Sequence, residues 1–110
     1  MEMITSAQNS KVKNAIKLKK KRERDKTGRA LIEGYHLIEE AYKSNLKIEQ
    51  LYVVDIERLD DGMINYAEEV FEINLKVAEA LSGTVTPQGF FAVIEKPVHE
   101  TAKAQQVLLI

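Results

Sequence analysis

The sequence predicts one three-layer α/β domain, in which helices cover both faces of a small sheet. Helical and strand-like patterns alternate along the chain after residue 29, which is typical of this fold class. The run from Phe90 to Ile94 is apolar without alternation, and this indicates a strand that is covered on both faces. With 110 residues and no cysteine, the chain is long enough to form one core without disulfides.

The net charge of −1 hides a strong asymmetry along the chain. Residues 1–29 contain ten Lys and Arg against three Asp and Glu, so they carry a charge of +7. Residues 30–110 contain six basic against fourteen acidic residues, so they carry a charge of −8. A chain divided in this way can bind a polyanion through its basic part while the remainder stays acidic.

The first predicted helix carries most of this basic charge. We interpret residues 1–8 as an irregular lead-in and predict a helix from Lys11 to about Arg24, with Asn9 or Ser10 as its N-cap. Like charges at helical spacing repel each other, which favours a polyanion as their partner, with a solvated helix face as the alternative. One continuous helix would present four cations as a stripe at i, i+4, i+7 and i+11, namely Lys13, Lys17, Lys20 and Arg24.

A turn at residues 25–28 leads into elements that alternate between strand and helix. Short apolar runs predict strands at residues 29–33, 48–54, 70–73 and 89–95. Apolar residues at helical spacing predict helices at residues 35–44, 59–67 and 75–82. Asn45 is expected to end its helix in a left-handed conformation, Asn74 to cap the last helix and Gly83 to end it.

The sequence composition also predicts the domain boundaries and the cellular location of the protein. We assign residues 1–97 to the domain and polar residues 98–106 to a linker. The apolar run at residues 107–110 is interpreted as the start of a second domain that has been cut away, with a C-terminal edge strand as the alternative. No stretch approaches the roughly 20 apolar residues of a membrane span, and no signal peptide is apparent. We therefore expect a cytoplasmic protein without a membrane partner.

The sequence shows no set of residues typical of a catalytic or metal site. The five glycines are scattered and match neither a dinucleotide fingerprint nor a phosphate loop. His36 and His99 lack the spacing of metal ligands, and the acidic pairs at residues 39–40 and 68–69 are interpreted as solvated faces. We expect a polyanion-binding module with no catalytic residue and no metal.

Four segments carry a resemblance to a known family. They are residues 4–13, the basic run leading into residues 31–34, residues 37–41 and residues 86–93, in this order along the chain. Together they resemble the N-terminal substrate-binding domain of the SpoU/TrmH-type RNA 2′-O-ribose methyltransferases, of the SPOUT superfamily. The resemblance implies a mixed four-stranded sheet similar to that of ribosomal proteins that bind kinked RNA, with the last strand antiparallel to the others.

The resemblance also implies a function. The chain would bind RNA, in the first place ribosomal RNA, for a parent enzyme that uses S-adenosylmethionine to methylate rRNA or tRNA, and residues 107–110 would begin the methyltransferase domain. The fragment itself would hold no cofactor, transfer no methyl group and be monomeric, whereas the parent would dimerise through its catalytic domain. The alternatives are a stand-alone ribosome-associated or kinked-RNA-binding protein, and a protein–protein adaptor whose basic helix is incidental.

The predicted RNA-binding surface combines the basic segment with the turn at Gly34. An antiparallel last strand would place residues 86–89 beside residues 34–36, and a phosphate between them would meet the positive end of the following helix. The alternative is that Gly34 and Gly89 are turn glycines only. Lysines would contact phosphates, and Tyr35 would stack on an unpaired base. The expected RNA contacts are Asn9, Lys11, Lys13, Lys17, Lys20, Lys21, Arg22, Arg24, Arg29, Gly34, Tyr35, His36 and Gln88.

Overall fold

The computed structural model describes residues 2–95, so the predicted linker at 98–106 and the predicted strand at 107–110 lie outside the described residues. No helix in this described part is long and apolar enough to cross a membrane. The elements in chain order are β1 (Glu2–Ile4), α1 (Ser10–Lys17), α2 (Lys21–Thr27), β2 (Arg29–Glu33), α3 (Tyr35–Lys43), β3 (Ile48–Val53), a short 3-10 helix (Ile56–Arg58), α4 (Asp61–Tyr66), β4 (Glu69–Ile73), α5 (Leu75–Ser82) and β5 (Phe90–Glu95).

The strands form one mixed sheet with the order β1-β4-β3-β5-β2. β1, β4 and β3 are parallel, and β5 is antiparallel to both of its neighbours. The α/β class and the antiparallel last strand are therefore confirmed, but the sheet has five strands where four were expected. The lead-in at residues 1–8 was the error, because Glu2–Ile4 forms β1 by pairing with β4. Only Ile4 of these three residues is buried, so the local pattern was too short to indicate a strand.

Helices cover both faces of the sheet, as the three-layer prediction requires. α3 and α4 bury Ile38, Ala41 and Met63 against one face. α1 and α5 bury Val12, Ala15, Val77, Ala78 and Leu81 against the other. The residues Phe90–Ile94 of β5 are all buried, because this strand lies inside the sheet and contributes side chains to both cores.

The basic segment, residues 11–29, does not form the single helix that the sequence predicted. α1 ends at Lys17, and Lys20 is extended with φ −90° and ψ 132° before α2 begins. Leu18 is buried in the core, and a straight helix would carry the chain away from the start of β2. The break turns the chain back towards the sheet. The predicted turn at residues 25–28 is corrected as well: residues 25–27 are helical, and Gly28 ends α2 with φ 71°.

The remaining boundaries agree with the predictions, with one addition. Asn45 has φ 60°, the Asn74 side chain accepts a hydrogen bond from the backbone N of Val77, and Gly83 ends α5 with φ 77°. The helix predicted at residues 59–67 is shorter, because α4 begins only after its N-cap Asp60. The 3-10 helix was not predicted, since three residues are too few to show helical periodicity.

Candidate nucleic-acid interface

The turn between β2 and α3 lies beside the start of β5, as predicted. Glu33 is opposite Phe91 in the antiparallel pair, and the backbone N of Gly34 donates to the carbonyl oxygen of Phe90 at 2.8 Å. Gly34 is buried and has φ 110°. A Cβ at this position would lie 2.7 Å from Oε1 of Gln88. Glycine is therefore required for the backbone conformation, and a Cβ would also push the end of the flexible Gln88 side chain aside.

Glu33 attaches the loop before β5 to this turn. One carboxylate oxygen accepts a hydrogen bond from Oγ of Ser82, and the other accepts one from the backbone N of Gln88, each at 3.0 Å. Sequence reasoning missed this role. Both partners are far from Glu33 along the chain, so no local pattern indicates the contact.

Aromatic contacts attach the turn to the core. The ring of Tyr35 meets the ring of Phe90 edge-on, with centroids 5.5 Å apart and an interplanar angle of 81°. Tyr35 is half-buried and His36 is exposed. The guanidinium of Arg58 lies 5.3 Å from the centroid of Phe90, which places a cation near this turn that the sequence did not indicate.

The predicted cationic contacts fall into two groups. Four are held by the protein's own groups: Lys11 by Glu69 at 3.1 Å, Lys21 by Asp25 at 2.8 Å, Arg29 by Glu49 at 2.8 Å, and Arg24 by backbone carbonyls. Within residues 2–95, the other four are exposed and form no ion pair or side-chain hydrogen bond. We call Lys13, Lys17, Lys20 and Arg22 the free cations.

Arg24 shows why the predicted stripe is wrong. Its Nη1 donates to the carbonyl oxygens of Leu18 at 3.1 Å and Lys19 at 2.7 Å. These carbonyls follow the end of α1, where no further helical turn is available to satisfy them. Lys13 and Lys17 lie on α1 and Lys20 is the N-cap of α2, so the four residues do not share one helical face. Asn9, by contrast, caps α1 as predicted by accepting from the backbone N of Lys11 at 2.9 Å.

Lys19 brings the basic segment near Gly83, at the end of α5. Its Nζ lies 3.4 Å from the position that a Cβ of Gly83 would take. Gly83 follows Ser82, which binds Glu33 beside Gly34. Lys19 was not among the predicted contacts, although it belongs to the same lysine-rich run. Of the basic segment, Lys19 therefore approaches the end of α5, whereas Arg29 lies at the start of β2, at the other end of that strand from Gly34.

A cleft of about 420 Å³ opens between α1, α2 and the sheet. It includes Arg29 at the start of β2, whereas Gly34 follows the end of that strand, so it lies at the opposite end of β2 from the turn. A register shift between Ile48 and Gln50 lets two consecutive residues of β3, Glu49 and Gln50, line it. The hydrogen bond and the negative charge of Glu49 raise the pKa of Arg29 above its usual value, which favours the charged guanidinium in this cleft.

The fold is shared with known proteins. Residues 9–92 match the family described as the MRM3-like substrate binding domain. The chain belongs to this family. The resemblance to a substrate-binding domain of RNA ribose methyltransferases, stated from the sequence, is thereby confirmed.

The relatives of this MRM3-like domain are longer than the chain. The 23S rRNA (guanosine(2553)-2'-O)-methyltransferase RlmP of Bacillus subtilis (strain 168) is 39% identical over 110 residues, which are 100% of this chain and 44% of that protein. The crystal structure of an rRNA methyltransferase from Sinorhizobium meliloti has a TM-score of 0.76 at 26% identity and covers 89% of this chain and 38% of that one. An RNA 2'-O ribose methyltransferase structure has a TM-score of 0.72 at 27% identity, with coverages of 92% and 41%.

Proposed function

We propose that this MRM3-like domain binds RNA, ribosomal RNA in the first place, and positions it for a SpoU-type 2′-O-ribose methyltransferase. The family match over residues 9–92 is the observation that carries the proposal. The relatives indicate the class of substrate, because their names describe methyltransferases that act on rRNA or on the ribose of RNA. The chain spans less than half of each of these relatives, so methyl transfer is assigned to the parent protein as a whole.

In this proposal the free cations supply most of the affinity. Their ammonium and guanidinium groups are exposed, and within residues 2–95 no carboxylate neutralises them. Such groups contact phosphates without reading base sequence. Each phosphate contact releases condensed counterions, so the affinity should fall as the salt concentration rises.

In this proposal the turn at Gly34 recognises the conformation of the RNA backbone. Gly34 is the N-cap of α3 and forms no side-chain capping bond, so the first backbone N–H groups of the helix have no side-chain cap. A phosphate near this end would meet those donors and the positive end of the helix dipole. The side chain of Gln88 lies against Gly34, where its amide can select among the backbone conformations that the RNA presents.

S-adenosylmethionine is assigned to another part of the parent protein. The glycines within residues 2–95 stand singly: four of them have the positive φ of turns and helix ends, and Gly62 lies within α4. They do not form the glycine-rich loop that the family's cofactor site would need. The described part also contains no group of three His, Cys, Asp or Glu residues that could hold a metal. The role that we assign to this domain is therefore substrate affinity and orientation.

Two titrations of the 110-residue chain test the proposal. Fluorescence anisotropy with labelled ribosomal RNA fragments should show saturable binding that weakens as salt rises. Calorimetry with S-adenosylmethionine should show no binding to the same preparation. One-to-one binding of the cofactor, or absence of RNA binding even at low salt, would contradict the proposed division of roles.

A further inference from the structure

The cleft between α1 and α2 exists because the two helices are anchored differently. α1 buries Val12 and Ala15 against the sheet, whereas α2 has no buried residue. α2 therefore stands away from the sheet as an outer wall. Arg24, in the middle of α2, binds carbonyls of the linker that precedes the helix, and Gly28 at its end leads into β2.

The lining of the cleft matches the parts of a nucleotide. Its floor is apolar and is formed by Ala15, Leu18 and Val93, which would contact the flat face of a base. Its wall carries Asn14 on α1, which can hydrogen-bond to the edge of a base, and Gln50 on β3, whose amide already accepts from Tyr52 Oη at 2.6 Å and donates to Glu69 at 3.4 Å. Asn14 is exposed, and its side chain forms no hydrogen bond within residues 2–95.

The cleft is lined by charges of both signs, the carboxylates of Glu23 and Glu49 and the cations of Lys11, Lys17 and Arg29, and the cations are the groups that can bind a phosphate. Lys17 is one of the free cations and lines the cleft. Arg29 binds Glu49 through Nε, at 2.8 Å and 2.9 Å from the two carboxylate oxygens. Within residues 2–95, Nη1 and Nη2 of Arg29 form no hydrogen bond, so these two nitrogens are available to an anion.

The volume of the cleft limits the size of the ligand that it can bind. The volume of about 420 Å³ lies within the roughly 300–1,000 Å³ that is usual for small-ligand sites. It accommodates one nucleotide and excludes a stacked duplex. Sequence-specific recognition of RNA depends mainly on unpaired nucleotides whose bases leave the stack.

We infer that this cleft binds one unpaired nucleotide of the RNA substrate, with the base on the apolar floor and the phosphate at Lys17 and Arg29. The inference rests on the proposed function, because it assumes that RNA is the ligand. It specifies the substrate further: the bound RNA contains an unpaired position at the end of the domain opposite the Gly34 turn.

The test compares a labelled single-stranded RNA pentamer with the same pentamer in which the central nucleotide is abasic. Both carry the same phosphates, so only the base differs. The 110-residue chain should bind the intact pentamer about tenfold more tightly, which corresponds to about one or two hydrogen bonds and the apolar contact. The variant Asn14→Phe fills the cleft and should abolish this difference between the two pentamers.

Two further variants keep the test decisive. Asn65→Phe makes the same substitution at an exposed position of α4, on the other face of the sheet, and should behave like the wild type. Thr27→Phe fills the cleft from α2, which has no buried residue, and it also removes the hydrogen bonds that the Thr27 hydroxyl donates to the carbonyl oxygen of Glu23 and accepts from the backbone N of Arg29. It should repeat the effect of Asn14→Phe, and circular dichroism should show that all variants are folded.

The outcomes separate this inference from the proposed function. Equal wild-type affinity for both pentamers would overturn the inference while leaving RNA binding intact. Failure to bind either pentamer at low salt would overturn the proposed function and the inference with it. A free nucleoside 5′-monophosphate that binds more tightly than the pentamer would also overturn the inference, because the cleft would then be a site for a small metabolite.

Discussion

The turn at Gly34 and the basic segment are the two parts of the proposed interface, and they are built in different ways. The turn depends on backbone geometry: a buried glycine at φ 110°, a carboxylate with two hydrogen bonds and an aromatic contact. The basic segment depends on charge, and its free cations form no ion pair or side-chain hydrogen bond within residues 2–95. Changes in the turn should therefore alter folding and shape, whereas changes in the free cations should alter RNA affinity alone.

Gly34→Ala is expected to have the largest effect on stability. Its φ of 110° lies outside the left-handed helical region, so alanine should lower the free energy of unfolding by about 2–3 kcal/mol and displace Gln88. Gly28→Ala is the matched control, because φ is 71° and a Cβ there would meet nothing within 4 Å. It should lower the free energy by only about 1 kcal/mol. Urea unfolding measures both, and equal losses would show that the Gln88 contact and the unusual backbone do not matter.

Glu33→Ala should have the next largest effect. It removes the acceptor of two hydrogen bonds, and because Glu33 is half-buried the loss should be about 1–2 kcal/mol. Amide hydrogen exchange should accelerate in the loop at residues 84–88. Glu72→Ala is the control, since Glu72 is also a half-buried strand residue but its carboxylate forms no hydrogen bond within residues 2–95. If the loop exchanges equally fast in both variants, Glu33 does not attach it.

Arg24→Ala and Arg22→Ala compare a held cation with a free one on the same helix. Arg24→Ala should lower the free energy of unfolding by about 1 kcal/mol, because two carbonyls lose their donor. Arg22→Ala should change it by less than about 0.5 kcal/mol, as is usual for exposed positions. At constant salt, Arg22→Ala should weaken RNA binding more than Arg24→Ala does. Thermal unfolding and anisotropy measure the two effects, and a larger loss of stability in Arg22→Ala would refute this division of the cations.

The sequence could predict the elements whose own residues contain a complete pattern. α3 shows a full apolar face, and the unbroken apolar run of β5 indicates a strand that is covered on both sides. The break at residues 18–20 depends on the burial of Leu18 and on the bonds of Arg24 to carbonyls, which are contacts formed only in the folded domain. For this reason the cationic stripe was an error of helix length, although the amino acids that carry the charge were identified.

Part of the candidate site could be predicted from the sequence, as could part of the fold. The contact of Gly34 with Gln88 followed from the antiparallel last strand that the resemblance implied, and the structure confirms it. Glu33, Lys19 and Arg58 were missed, because their partners are distant in sequence. The RNA contacts themselves stay predictions.

The most direct test of the central claim is the salt dependence of RNA affinity in two charge-matched variants. One replaces Lys13, Lys17 and Lys20 of the basic segment by alanine. The other replaces three exposed lysines elsewhere, Lys43, Lys47 and Lys76, and so removes the same charge.

Each phosphate contact contributes about 0.7 to the slope of log affinity against log salt on a single strand. The first variant should therefore reduce the magnitude of the slope by about 2 on single-stranded ribosomal RNA fragments, with its fold intact by circular dichroism. The second should retain the wild-type slope. Equal slopes in the two variants would contradict the claim that the basic segment binds the RNA backbone.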